Sequence, residues 1–408
     1  MTNAPNPSRR QALATAAGFG LSLNFFARQS FAASQGRQAA KKLVLVICRG
    51  GMDGLTVAPP LGDPDYEPLR RNLALGDTAL KLDSTFGLHP SLTAVHAMAL
   101  AGQARIVPAV ATPDRARSHF EAQDVLESGA ATVYGTASGW LNRAVGSLSA
   151  QRKVAAISIG ATAPLVLRGP APVSSWSPGR LVDASARLPS LLQDLYKDDP
   201  VLGPAFARGL ATETMAESAM GEGGMSNMAP AANAKTYLKQ GQDASRKLGE
   251  TVAGFMREPT GPQIAAISLD GFDTHANQLG QLSMRLGNLD AVLDGLHAGL
   301  GDAWSDTVVV VATEFGRTAR ANGTAGTDHG TASTALVLGG GLKKGGIIGD
   351  WPTLKASSLF ENRDLAPSLD MRALFKGVLA EQLGVEAWAL DGTVFPESTG
   401  VRAVLGLV

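Results

Sequence analysis

Residues 307–330 read TVVVVATEFGRTARANGTAGTDHG. Four consecutive valines, Val308 to Val311, leave no polar alternation, the pattern of a strand covered on both faces in a mainly parallel sheet. The run ends in Ala312 and Thr313, and a carboxylate, Glu314, follows at once. A loop rich in glycine and arginine then leads to Asp328 and His329. An acid at the tip of a buried strand is costly unless something compensates it. The stretch therefore predicts a core strand and, at its carboxyl end, a site.

Five other runs share this character: KLVLVIC (42–48), ARIVPAV (104–110), VAAISI (154–159), QIAAISL (263–269) and TALVLG (334–339). Helical patterns lie between them. One starts at PSLTAVHAMALAG and one at HFEAQDVLESG. A third repeats leucine at positions 279, 282, 286, 289, 293, 296 and 300, the spacing of one long amphipathic helix. A fourth, DLAPSLDMRALFKGVLAEQLG, has Gly384 as its stop. Alternating strands and helices predict an α/β fold, a three-layer sandwich around a central, mostly parallel sheet. One large domain is expected over 40–408, with a helical insertion around 188–256. The Gly-, Ala- and Met-rich stretch 215–234 reads as a flexible loop between two helices of that insertion.

The 408 residues include 36 Lys+Arg and 36 Asp+Glu. A net charge of zero gives no electrostatic case for nucleic-acid binding. The only cysteine, Cys48, sits in an apolar run, so an internal disulfide and a cysteine zinc cluster are both excluded. At the N-terminus, Arg9 and Arg10 precede a weakly apolar, Ala- and Gly-rich stretch, and small residues at Ser30 and Ala32 suit cleavage. Residues 1–32 are expected to be a twin-arginine signal peptide, read by the Tat translocon, with a periplasmic or secreted product and no transmembrane segment after cleavage.

In open parallel sheets, ligands bind beyond the carboxyl ends of the strands. Polar residues collect there four times. Arg49 and Asp53 follow the first run; Thr112, Asp114, Arg115, Arg117, Ser118 and His119 follow the second. Asp270, Asp273 and His275 follow 263–269, and Glu314, Arg317, Asp328 and His329 follow the valines. Three of the six histidines fall in these loops. Converging carboxylates and imidazoles would repel one another without a cation, and that donor set suits Zn²⁺, Mn²⁺, Ca²⁺ or Mg²⁺. Each residue also has a structural reading. Asp53 suits a turn, Asp273 a helix cap, and Glu314 an ion pair with Arg317. His96 and His297 lie within helical patterns, and His89 lies in a loop.

These residues also carry a resemblance. LVLVICRGGMDGL, FGLHPSL, RSHFEAQD, GFDTHANQ, ATEFGRTARANGTAGTDHGTA and LGGGLKKGGIIGDWP resemble the exported bacterial family known as domain of unknown function 1501 over nearly the whole mature chain. That family is similar to the alkaline phosphatase and sulfatase superfamily, which implies an alkaline-phosphatase-like fold. Carried over by motif, the metal ligands would be Asp53, Asp273, His275, Glu314 and His329, with Asp328 as an extra one. Ser118 would be the nucleophile, with Thr112 in competition. The chain departs from the superfamily at Phe315, where an imidazole or amide usually follows the acid.

The resulting expectation is an exported, metal-dependent hydrolase of phosphate or sulfate esters on a small molecule or polymer. Arg49, Arg115, Arg317 and His119 are candidates to hold the ester oxygens. The alternative is a non-catalytic exported binding or assembly protein that keeps the same fold.

Overall fold

All six apolar runs are strands in the computed structural model, which describes residues 41–149, 154–160, 163–178, 196, 199–220, 234–258 and 260–408. They are β1 (Lys42–Cys48), β4 (Ala104–Ala111), β5 (Ala156–Ile159), β7 (Ile264–Leu269), β8 (Thr307–Ala312) and β9 (Ser333–Leu338). Short strands complete the set: β2 (Leu80–Lys81), β3 (Gly87–Leu88), β6 (Ser174–Trp176), β10 (Gly346–Ile347) and β11 (Leu369–Asp370). The expected signal peptide, residues 1–32, and the parts 188–195, 197–198 and 221–233 of the expected insertion lie outside the described residues.

The main sheet runs β10-β4-β9-β8-β1-β7-β5-β6, with β11 also on β4. β1 lies in its interior, parallel to β7 on one side and β8 on the other. Its side chains divide by parity. Val44, Val46 and Cys48 enter one apolar core, and Leu43, Leu45 and Ile47 enter the other. The first core is filled by the leucines of the helix Gln278–Leu300, and the second by the helices Trp140–Ser149 and Met371–Val378. Both faces of the sheet are therefore covered, which makes a three-layer sandwich. It also explains why β1 and β8 are apolar without alternation, since every residue in them except the half-buried Lys42 is buried on one side or the other. At roughly 1.5–3 kcal/mol per fully buried aliphatic side chain, these strands supply much of the hydrophobic stabilisation.

One strand breaks the parallel pattern. β9 is antiparallel to both β8 and β4. The chain leaves β8 at the carboxyl edge, turns, and re-enters along β9 with Val309 opposite Leu338 and Val311 opposite Leu336. As a result the residues before β9 lie at the same edge as the residues after β8. The ribbon continues past the strands: Gly316 N–H donates to Thr331 O at 2.9 Å, and Gly330 N–H donates to Gly316 O at 2.8 Å.

Other expectations are adjusted. The last helix starts at Met371, not near 364, because Asp370 caps it by accepting from the Arg372 N–H at 2.8 Å. It winds into a wider turn over Leu379–Leu383 and stops at Gly384, whose φ of 72° is left-handed. In the insertion, the helix Leu202–Met220 runs into the stretch expected to be loop, and a second helix covers Ala234–Arg257. No helix among the described residues is long and apolar enough to cross a membrane.

His89, left unassigned by the sequence, is buried beside the first core. Its Nδ1 accepts from the Ser91 N–H at 3.0 Å, and Ser283 Oγ lies 3.4 Å from its Nε2. Burial pushes its pKa down to about 4. The folded state thus holds His89 neutral, whereas the unfolded chain takes up the proton near the ordinary histidine value. Stability from this group is complete above about pH 6.5 and is lost as pH falls toward 4, by on the order of 2 to 3 kcal/mol. His89→Asn should therefore flatten the fall in urea midpoint between pH 7 and pH 4.5. An equal fall in both proteins would show that His89 is not the group being titrated.

Candidate metal centre

Three loops at the carboxyl edge bring His119, Asp273, His275 and His329 together. His119 opens the helix His119–Ser128 after β4. Asp273 and His275 follow β7, and His329 precedes β9. One nitrogen each from His119 and His329 and one oxygen of Asp273 all lie within 4.8 Å of one another. His275 Nε2 is 2.9 Å from Asp273 Oδ1 and 3.1 Å from His329 Nε2. His329 Nε2 is 3.2 Å from Asp273 Oδ1, and His119 Nε2 is 3.4 Å from Asp273 Oδ2.

The far nitrogen of each ring decides what the near one can do. His119 Nδ1 is 2.9 Å from Glu314 Oε1, and His329 Nδ1 is 2.9 Å from the carbonyl of Arg117. His275 Nδ1 lies 3.4 Å from Asp328 Oδ1. A carboxylate or carbonyl oxygen only accepts, so each Nδ1 carries the hydrogen and each neutral ring turns its Nε2 lone pair inward. Three lone pairs and a carboxylate then face one another, which requires a proton or a cation between them. His119 Nε2, although buried, makes no hydrogen bond. Imidazoles backed in this way by oxygen acceptors are the usual arrangement around a divalent metal. The donor set of His119, His329 and Asp273, with His275 as a fourth, fits Zn²⁺ or a similar ion.

Glu314 sits behind the centre. It is fully buried and accepts from the Gly50 N–H at 2.8 Å, the Thr313 hydroxyl at 3.0 Å and the Gln123 amide at 3.2 Å, as well as from His119. Burial alone would raise its pKa, but the bonds from His119, Gly50 and Gln123 outweigh that and hold it below the ordinary glutamate value. In return, the bond to Glu314 raises the pKa of His119 against its burial. Burial, with Arg317 and His119 nearby, lowers that of His329. Asp273 is also held low: burial is overcome by Arg317, His275 and His119.

Phe315 fills the space beside the acid. Its ring centroid lies 4.8 Å from that of His119 and 4.9 Å from that of His329. Gly51, at φ 66°, has no room for a side chain, since a Cβ there would come within 2.3 Å of the Phe315 ring.

The other expected site residues are placed differently. Asp53 is buried away from the cluster, where its carboxylate is held by Arg70, by the Thr56 hydroxyl at 2.7 Å and by the Gln278 amide at 2.5 Å. It also caps the short helix Gly54–Val57. Arg317, fully buried, binds Asp273 at 2.7 Å and Thr327, so the expected pair is with Asp273, not with Glu314. Asp273 does not cap the following helix, whose N-cap is Asn277. Arg115 is turned onto the carbonyls of Thr112 and Asp114. Arg49 is paired with Glu127 at 2.7 Å and Gln123 at 2.9 Å. Thr112 is buried, with its hydroxyl 3.4 Å from the Glu314 carbonyl. Ser118 is half-buried at the N-cap of the helix His119–Ser128, and its side chain makes no capping bond.

The return loop between β8 and β9 is fastened to its neighbour. The Asn322 amide donates to the His275 carbonyl at 2.9 Å, and the Thr324 hydroxyl donates to it at 2.7 Å. Sequence reasoning missed the ligand position of His119, the carboxylate-binding role of Arg70 and the link through Gln278. The RSHF stretch carried the first of these signals, since its histidine directly follows the helix cap.

The family described as "Protein of unknown function (DUF1501)" matches residues 40–394. The chain belongs to the DUF1501 family. No curated protein matches this DUF1501 sequence. Among solved structures it is similar to the lipoteichoic acid synthase LtaP from Listeria monocytogenes, at 11% identity over 86% of this chain and 73% of that one, with a TM-score of 0.39. The phosphonate monoester hydrolase of Agrobacterium radiobacter is similar at 11% identity over 85% and 74%, TM-score 0.39. The C-terminal periplasmic domain of EcEptC from Escherichia coli, in complex with Zn, is similar at 10% identity over 91% and 92%, TM-score 0.36.

Two outcomes test this geometry. Glu314→Gln places an amide against His119 Nδ1 and should weaken Zn²⁺ binding by about 10- to 100-fold in calorimetric titration; unchanged affinity would remove Glu314 from the centre. Asp53→Asn leaves Arg70 buried without its counter-charge and should cost about 3–5 kcal/mol in urea unfolding while the bound-metal stoichiometry stays the same. Loss of metal with undiminished stability would make Asp53 a ligand.

Proposed function

We propose that this chain is a metal-dependent hydrolase of phosphate or sulfate esters that works outside the cytoplasm. One observation carries the reading: the three inward Nε2 atoms around Asp273, each backed by an oxygen acceptor on Nδ1. A divalent cation held by His119, Asp273, His329 and His275 would act as a Lewis acid on an ester oxygen and make a nearby hydroxyl or water easier to deprotonate.

The chain's own residues supply the rest. Ser118 is the better nucleophile candidate: its neighbours Arg117 and His119 both touch the centre, and no capping bond ties up its hydroxyl. It also stands at the start of a ten-residue helix, whose positive end favours an oxyanion. Thr112 is the weaker candidate because it is buried against the Glu314 carbonyl. Phe315 covers the His119 and His329 rings with apolar surface, which strengthens electrostatics on that side. The export reading rests on Arg9, Arg10 and the small residues at Ser30 and Ala32.

The binding-protein alternative has one observation in its favour. Arg49, Arg115 and Arg317 are all engaged within the protein, which leaves none of them free to clamp an ester. The same assay separates the two. Purified protein should carry a divalent ion by elemental analysis and hydrolyse an aryl phosphate or aryl sulfate. Both the ion and the activity should be lost in His329→Ala, whereas Ser118→Ala should keep the ion and lose at least about a hundredfold in turnover. A fully loaded protein that turns over neither ester is a binding protein. Activity that survives both Ser118→Ala and Thr112→Val would overturn the nucleophile assignment.

A further inference from the structure

A second feature lies beside the centre. A cleft of about 640 Å³, within the usual range for small-molecule sites, opens over the carboxyl ends of β1, β7 and β5. Arg49, Ser268 and Asp270 line it from the strand side, and Gln123, Phe120 and Tyr134 from the helix side. Gln123 forms the partition: its amide donates to Glu314, and its carbonyl oxygen accepts from Arg49. The cleft thus shares a wall with the residue that orients His119.

Two aromatic rings stand at this cleft almost fully in water. Phe120 is 84% exposed and Tyr134 is 74% exposed. A single exposed ring needs no explanation, but two bordering one polar cleft do. Tyr134 is moreover held in the left-handed region, at φ 56°, a conformation that is strained for a bulky residue. Asp124 fixes it there by accepting from the Tyr134 N–H at 2.6 Å. The chain thus maintains backbone strain at a residue that stays largely exposed.

The charges in the cleft identify the occupant. Arg49 is already neutralised by Glu127, and its Nε points to Ser268 Oγ at 3.3 Å. The Arg168 side chain, also in the lining, donates to the Ala163 carbonyl at 2.7 Å. Asp270 is exposed and has no charged partner among the described residues. Arg168 keeps its charge, since a carbonyl does not neutralise it, but the lining sets three acids, Asp124, Glu127 and Asp270, against the two arginines Arg49 and Arg168, and this negative balance disfavours an anion. A hydroxyl, which both donates and accepts, can use Asp270, Ser268 and the remaining capacity of the paired groups. The apolar C–H face of a ring bearing such hydroxyls matches an exposed aromatic side chain.

We infer that the Phe120–Tyr134 cleft binds the neutral sugar units of a saccharide whose esterified unit is presented to the metal centre. The placement of the ester rests on the hydrolase reading; sugar binding by the cleft does not.

The test reads binding without turnover. Metal-loaded protein is titrated with fluorescently tagged neutral hexasaccharides of gluco, galacto, manno and xylo configuration, followed by polarisation. At least one should bind, with little dependence on salt. The paired substitution Phe120→Ala and Tyr134→Ala, or Asp270→Asn alone, should weaken that binding by about tenfold or more, with melting temperature and metal content unchanged. Failure of all four saccharides, or binding that neither variant alters, would overturn the inference. Binding that collapses as salt is raised would also overturn it, by showing that the cleft selects charge. Hexasaccharide binding by a protein that cleaves no ester would reject the hydrolase reading and leave this one standing.

Discussion

The structure depends on how a buried carboxylate is compensated. Glu314 emerges from β8 with no exposure to solvent, where an unpaired charge would be untenable. Among the described residues no arginine or lysine pairs with it. Its donors are the Gly50 backbone after β1, the Thr313 hydroxyl at the end of β8, and His119 and Gln123 from the helix that follows β4. Satisfying one acid therefore ties three strand ends together and sets the orientation of an imidazole. Gly50 has φ 115°, which side-chain-bearing residues rarely adopt, and so its N–H can be aimed at the acid only because it is glycine.

A second network lies beneath the first. Arg70 holds Asp53, Asp53 receives the Gln278 amide, Gln278 receives the Thr327 hydroxyl at 2.6 Å, and Thr327 holds Arg317, which fixes Asp273. The exposed half of the centre is therefore braced by a chain of buried polar groups, of which only the Arg70 Nε lacks a hydrogen-bond partner among the described residues. Such networks rigidify when complete and are costly when broken.

The sequence made the strands legible because each is buried on both faces, so an unbroken apolar run is its signature. The carboxyl edge could be read for the same reason, and Asp273, His275 and His329 were all drawn from it. What could not be read was which acid faces the cluster and which faces inward. Asp53 lies between glycines in a way equally suited to a ligand or a brace. The choice is made by Arg70 and Gln278, which are distant in sequence and silent in local pattern. His119 was seen as a residue near an ester; its partnership with Glu314 spans 195 positions and has no local trace. The reversed direction of β9 was equally hidden, since an apolar run reads the same whichever way it is inserted.

That reversed strand has a consequence for assembly. Glu314 and His329 belong to one local return of the chain, which can form early because its ends are close in sequence. Asp273 lies 56 positions before His329, and His119 lies far beyond that. The complete donor set therefore exists only after the most distant contacts have formed. An ion held by His119, Asp273 and His329 would recognise the finished fold and ignore partly folded chains, and each occupied site would withdraw a molecule from the unfolding equilibrium. Occupancy would then serve as a record of which chains had completed folding.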